Sequence, residues 1–204
     1  MIEPLKAAGS FRDPAGFMFR RGKALLRQVN QLGRDDYDRL IESGLYRSLV
    51  DDALLIPHEE DLEAPYDAPL AYRVIRPELI PYVSYPYEWS FGQLKDAALL
   101  TLEVQRRAIE RGLSLKDASA YNVQFRDGKP VFIDTLSFEV YRPGEPWVAY
   151  RQFCEHFLAP LALMSMVDVR LNQLCRTNID GVPLDLASRL LPRRSLLDPG
   201  LALH

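Results

Sequence analysis

The stretch Leu115-Lys-Asp117-Ala-Ser-Ala-Tyr-Asn122-Val-Gln-Phe-Arg-Asp-Gly-Lys-Pro-Val-Phe-Ile-Asp134 concentrates the chain's chemistry. An acid, Asp117, stands five residues before an amide, Asn122. Asp127-Gly128 has the composition of a two-residue hairpin turn, whose positions favour positive φ. Val123-Gln-Phe125 leads into that turn and Val131-Phe-Ile133 leads out of it, so the chain folds back and returns Asp134 towards the loop of Asp117 and Asn122. Phosphoryl transfer from ATP needs such a set. One carboxylate orients the acceptor hydroxyl, while a second carboxylate and an amide oxygen hold magnesium against the phosphates. Magnesium suits this frame because it takes few protein oxygens and completes its shell with phosphate and water. The same residue types also cap loops through bonds to backbone, which is the plainer reading of each one alone.

Working outward, the helix over Phe91–Arg111 is the best marked. Ser90 is its N-cap, Gln93 completes a capping box, and Gly112 stands at the C′ position. Leu94, Ala97, Ala98, Thr101, Leu102, Gln105, Ala108 and Ile109 recur on one face. Upstream, Phe17–Phe19 and Ala24–Val29 flank a basic turn at Arg20–Lys23 and read as a hairpin. Asp35–Asp52 reads as one helix on Leu40, Ile41, Leu45, Leu49 and Val50. His58–Leu70 reads as an exposed loop, with His58 at the surface and its neighbouring acids favouring the charged imidazole. Ala71–Ile75 and Ile80–Tyr85 read as short strands bounded by prolines. From Trp147 the chain is mostly helical, with breaks near Pro160, Gly181-Val-Pro183 and Pro192.

Composition removes several function classes. The 204 residues are enough for a core without staples, and 48% hydrophobic with 26% charged is ordinary globular usage. Lys+Arg 25 against Asp+Glu 28 gives net −3, which argues against nucleic-acid and anionic-membrane partners. The apolar stretch Phe157–Val167 is too short to span a bilayer, and Met1-Ile-Glu-Pro4 lacks the basic start of a signal peptide. Cys154 and Cys175 make neither a disulfide framework nor a zinc site. A buried thiol and a hydrogen-bonded histidine are the expectation for Cys154-x-His156, and the cytoplasm is the expected compartment. The 11 glycines contain no Gly-x-Gly, which removes the dinucleotide fingerprint, the glycine loop of a SAM-dependent methyltransferase and the kinase glycine loop. Gly16-Phe-Met-Phe-Arg-Arg-Gly22-Lys23-Ala24 misses the P-loop by one residue and by Ala24.

The segment around Asp117 resembles the catalytic segment of the protein-kinase-like superfamily, particularly its small-molecule phosphotransferase branch. The resemblance implies an α+β, two-lobed fold. A small β-rich lobe with one helix would cover 1–84, and a helical lobe with the catalytic-loop hairpin would cover 85–204, with the site in the cleft. It implies Asp117 as the catalytic aspartate and Asn122 and Asp134 as the magnesium ligands. Tyr82–Glu88, with Tyr85, Tyr87 and Glu88, would be the connector against adenine. Arg27 or Lys23 would face the phosphates, and Glu42 or Asp38 would be the acid on the small-lobe helix. ATP and Mg2+ are the implied cofactors, and a small-molecule or glycan hydroxyl is the implied acceptor. Leu115-Lys116 stands where the superfamily has His-Arg, Asp134-Thr-Leu136 replaces Asp-Phe-Gly, and Gly9 and Gly16 are loose substitutes for the glycine loop.

A second resemblance covers most of the chain. Ser10-Phe-Arg-Asp-Pro-Ala-Gly-Phe17, Ile56-Pro-His-Glu-Glu60, Tyr85-Pro-Tyr-Glu-Trp-Ser90, Asp117-Ala-Ser-Ala-Tyr-Asn122 and Trp147-Val-Ala-Tyr-Arg-Gln-Phe153 are similar to the N-terminal part of certain bacterial proteins. Those are named as class I SAM-dependent methyltransferases or as relatives of a nodulation protein. Their methyltransferase domain lies after this region, so the resemblance implies SAM binding only by a domain outside this chain. It also implies an alternative function, a non-catalytic substrate-binding or docking module for such a domain.

Overall fold

Strand alternation builds the small lobe. In the computed structural model, which describes residues 5–7, 13–61 and 64–202, β2 (Gly16–Arg21) and β3 (Ala24–Asn30) pair antiparallel across a turn at Gly22. With β1 (Leu5–Lys6), β4 (His58–Glu60) and β5 (Ala71–Pro77) they form an antiparallel sheet in the order β1-β2-β3-β5-β4. Period-two exposure sends Phe17, Phe19, Leu26 and Val74 into one small core. A second cluster gathers Ala15, Val29 and Ile75 with Tyr37 and Leu136. The buried Gln28 amide binds the backbone N–H and carbonyl of Asp67, which ties the 64–70 loop down.

Three local expectations change. The helix expected over Asp35–Asp52 is two, α1 (Arg34–Glu42) and α2 (Leu45–Asp51), because Gly44 takes φ +71° and ends the first. His58–Glu60 is a strand rather than loop, its two acids on an exposed sheet edge. Ile80–Tyr85 forms no strand: Pro81 lacks the N–H a ladder needs, and Ser84 gives both its N–H and its carbonyl to the Gln124 side chain.

The helical lobe is organised by α3 (Phe91–Glu110). Its capping box is present, with Gln93 N–H donating to Ser90 Oγ and Ser90 N–H to Gln93 Oε1, and Gly112 has φ +74°. The buried face includes Leu100 and Val104, whereas Leu102 and Ile109 stay exposed. Leu94, Ala97 and Val104 share one core with Leu40, Leu45 and Leu49 from α1 and α2 and with Phe132, Phe138 and Phe157. β6 (Leu113–Leu115) pairs with β9 (Phe138–Val140), and β7 (Val123–Arg126) pairs with β8 (Lys129–Phe132). The β7–β8 turn has φ +51° at Asp127 and +75° at Gly128, the conformation its residues favour. Ile56 N–H donates to Phe132 O at 2.8 Å and Phe132 N–H to Leu54 O at 2.9 Å, which joins the α2–β4 link to this hairpin.

Pro160 does not break its helix. α4 (Tyr150–Phe153) runs through a π-helical turn at Cys154–Leu158 into α5 (Ala159–Met166), where Pro160 occupies the first turn. The wider turn before it accommodates a residue without an N–H. α6 (Leu174–Thr177), α7 (Leu184–Leu190) and α8 (Pro199–Ala202) follow, with interruptions at Gly181 and Pro192 as expected. Among the described residues, no helix is long and apolar enough to cross a membrane.

Gly16 marks where the sheet meets the hairpin. A Cβ there would lie 2.4 Å from Gln28 O and 2.5 Å from Leu136 Cδ1. Gly16→Ala therefore lowers stability by about 1–3 kcal/mol, read as a lower urea midpoint at unchanged slope.

Candidate functional site

The loop after β6 is held from three directions. Trp147 Nε1 donates to Leu115 O at 2.7 Å, Lys116 N–H donates to Ser137 O at 2.8 Å, and Ala118 N–H donates to Gln152 Oε1 at 2.7 Å. Within the loop, Asp117 Oδ1 accepts from Ser119 N–H at 2.9 Å, and Ser119 Oγ accepts from Tyr121 N–H at 3.2 Å. The side-chain bonds that turn this loop thus involve Asp117 itself, as a loop cap would. Ile133 N–H donates to Asn122 O at 2.8 Å, so the return strand is stitched back to the loop.

Asn122, Asp134 and Arg27 come together here. Asn122 Nδ2 donates to Ser137 Oγ at 3.1 Å, leaving Oδ1 as the atom able to meet a cation. Asp134 Oδ1 accepts from Leu136 N–H at 2.8 Å and from the Arg27 guanidinium at 2.5 Å. These are largely buried side chains, 11% exposed for Arg27 and 19% for Asp134. Burial alone would raise the Asp134 pKa, but the charge and hydrogen bond of Arg27, the Leu136 amide and the Ser137 hydroxyl hold it below the ordinary value.

Other expected residues lie elsewhere. Lys23 is exposed in the β2–β3 turn, so Arg27 is the cation that faces the loop. Neither acid expected on the small-lobe helix pairs with it. Glu42 is exposed at the end of α1, and Asp38 accepts from the Tyr72 hydroxyl at 2.7 Å and pairs with Arg34. In the connector, Tyr85 and Tyr87 stack on each other with centroids 5.5 Å apart, and Glu88 accepts from Tyr85 N–H at 2.8 Å. Tyr87 also packs against the cluster of Ala159, Leu163 and Cys175. The Gln124 amide takes both the N–H and the carbonyl of Ser84, fixing the connector to β7. Gly9 lies outside the described residues.

Asp13, Tyr37 and Tyr46 were not singled out from the sequence. Asp13 lies 4.0 Å from Arg27, and burial raises its pKa against the pull of the Ala15 amide, Lys116 and Arg27. Lys116 pairs with Asp36 of α1 at 3.3 Å. Tyr37 bonds His58 Nε2 at 3.0 Å, while the Tyr46 hydroxyl binds the backbone N–H and carbonyl of His58. His58 is half-buried between the two tyrosine rings, so the expectation of a charged surface imidazole is reversed. Burial, then the nearby Arg27, lowers its pKa from 6.5 to about 4. Asp13 before a strand carries a turn signal, but nothing local couples residues 37, 46 and 58.

No protein-family profile matches the chain. It is 38% identical over 204 residues to the nodulation protein NoeA of Rhizobium meliloti (strain 1021), a match covering 98% of this chain and 42% of that protein. The chain thus spans less than half the length of that relative. Among solved structures, vaccinia related kinase 3 superimposes over 72% of this chain and 50% of its own, with a TM-score of 0.44 and 14% identity.

Two expectations follow from the site's electrostatics. Arg27→Leu leaves a buried carboxylate unpaired, which costs about 3–5 kcal/mol and moves the Asp134 titration upward in a carboxyl carbon-13 NMR experiment. The His58 shift has a definite sign. Its folded pKa of about 4 lies below the unfolded 6.5, so as pH falls the unfolded chain takes the proton first. Stability is full above the unfolded value, declines between pH 6.5 and about 4, and levels below that. Burial of His156 lowers its pKa and acts in the same direction. The loss from His58 is about 3 kcal/mol, and urea midpoints across that range flatten in His58→Gln.

Proposed function

We propose that this chain is a kinase-like module that binds a magnesium–nucleotide complex between the sheet and the Asp117–Asp134 loop and presents a small-molecule or glycan hydroxyl to Asp117. One observation carries the reading: the hairpin return links Asn122 through Ser137 to the surroundings of Asp134, and Arg27 reaches Asp134 from the sheet. The residues present fit magnesium. Among the described residues, no group of three or more His, Cys, Asp or Glu side chains is able to hold a metal. An ion that keeps phosphate oxygens and water as ligands needs only Asn122 Oδ1 and the Asp134 carboxylate. When bound, the metal–nucleotide supplies the transferable phosphoryl group and neutralises its charge. Asp117 has one oxygen engaged by Ser119 N–H, and the other is available to accept the proton of an acceptor hydroxyl. Arg27 is a fixed cation whose planar fork presents two N–H edges, suited to holding phosphate oxygens beside Asp134.

A second reading is favoured by Leu136. It packs among Ala15, Val29, Tyr37 and Ile75 and presses on Gly16, filling space beneath the sheet. On this reading the chain is a non-catalytic substrate-binding or docking module. Methyl transfer would then belong to a SAM-binding domain outside the chain, since no Gly-x-Gly is present within it.

Calorimetric titration of ATP with magnesium separates the two. The nucleotide reading expects binding that requires the metal and weakens at least tenfold in Asp134→Asn. Asp117→Asn should retain binding and lose phosphoryl transfer. Absence of heat at millimolar ATP in the folded wild-type chain leaves the docking module.

A further inference from the structure

Two buried polar atoms without a hydrogen-bond partner lie on one side of the sheet, Arg27 Nε and His58 Nδ1. The strand register places them there. Arg27 is directly opposite Ile75, His58 is directly opposite Pro77, and positions 75 and 77 of β5 project to the same face. This is the face on which Tyr37 of α1 packs against Ile75. The imidazole is fixed from three sides by the Tyr37 hydroxyl on Nε2, the Tyr46 ring at 4.5 Å and the Tyr46 hydroxyl on its backbone. Only Nδ1 remains. A neutral imidazole has one N–H and one lone pair, and a neighbouring guanidinium favours the lone pair facing it.

We infer that His58 is a positioning residue for Arg27, its Nδ1 lone pair accepting from the Arg27 Nε–H through one bridging water, with the imidazole proton on Nε2 donated to Tyr37. A single water between two buried polar groups satisfies both where they do not bond directly. This arrangement fixes the near end of the guanidinium while Asp134 fixes the far end. The chain Tyr37–His58–Arg27–Asp134 thereby connects α1 to the loop through a neutral ring, where Glu42 or Asp38 was expected to do so. That Arg27 then serves a phosphate rests on the proposed nucleotide reading; the positioning itself does not.

The test uses nitrogen-15-labelled full chain without nucleotide. Two-bond proton–nitrogen spectra at pH 7 should show His58 as the Nε2–H tautomer, with Nδ1 shifted as a hydrogen-bond acceptor. The Arg27 Nε–H should exchange slowly with solvent. His58→Asn, whose amide oxygen stands near the Nδ1 position, retains that protection. His58→Gln, which keeps a polar group towards Tyr37 instead, loses it by about tenfold or more. A merely structural role would move both variants alike. An Nδ1–H tautomer in the wild type, or unchanged Arg27 exchange in a folded His58→Gln chain, overturns the inference. Because no reading involves ATP, a failed nucleotide titration leaves this result standing, and the converse holds.

Discussion

A guanidinium and a carboxylate, both largely withdrawn from water, join parts of the chain 107 residues apart. Such a pair adds little net stability when complete and costs several kcal/mol when half of it is removed. Its importance lies in what must be in register for it to form. Arg27 has to fall on the inner face of β3, Asp134 has to return from the β7–β8 hairpin, and Leu136 has to turn its N–H back to the same carboxylate. Leu136 then packs beneath the sheet, which is why Gly16 carries no side chain.

The two halves are not separate cores. Leu45 and Leu49 of α2 lie in the same apolar cluster as Leu94 and Val104 of α3, so helices that precede β4 pack with the helical half. The sheet's own clusters are small by comparison, four or five buried residues each, and one of them borrows Leu136. A sheet this thin depends on the rest of the molecule, and Arg27 is one of its attachments.

What could be read from residues alone follows how local the cause is. The β7–β8 hairpin was legible because Asp127-Gly128 fixes its own geometry, and α3 was legible because Ser90, Gln93 and Gly112 act within a turn of themselves. The grouping of Asn122 with Asp134 followed from that hairpin. His58 was misread because its acidic neighbours are local and visible, whereas Tyr37 and Tyr46 reach it only through folding. The buried face of α3 was partly misassigned for the same reason. Leu100 and Leu102 are equivalent in composition, and only the partners of that helix decide which is covered. Pro160 reads as a stop until the π-turn ahead of it is seen.

The link from α2 to β4 has its own consequence. Leu54 and Ile56 exchange backbone bonds with Phe132, two residues before Asp134, so the sheet side meets the loop side at two very different fastenings. One is a pair of neutral amide bonds beside fully buried Leu55 and Phe132, indifferent to charge. The other is ionic: it holds only while Asp134 keeps its charge, so strong acid loosens this fastening and leaves the amide pair as it was.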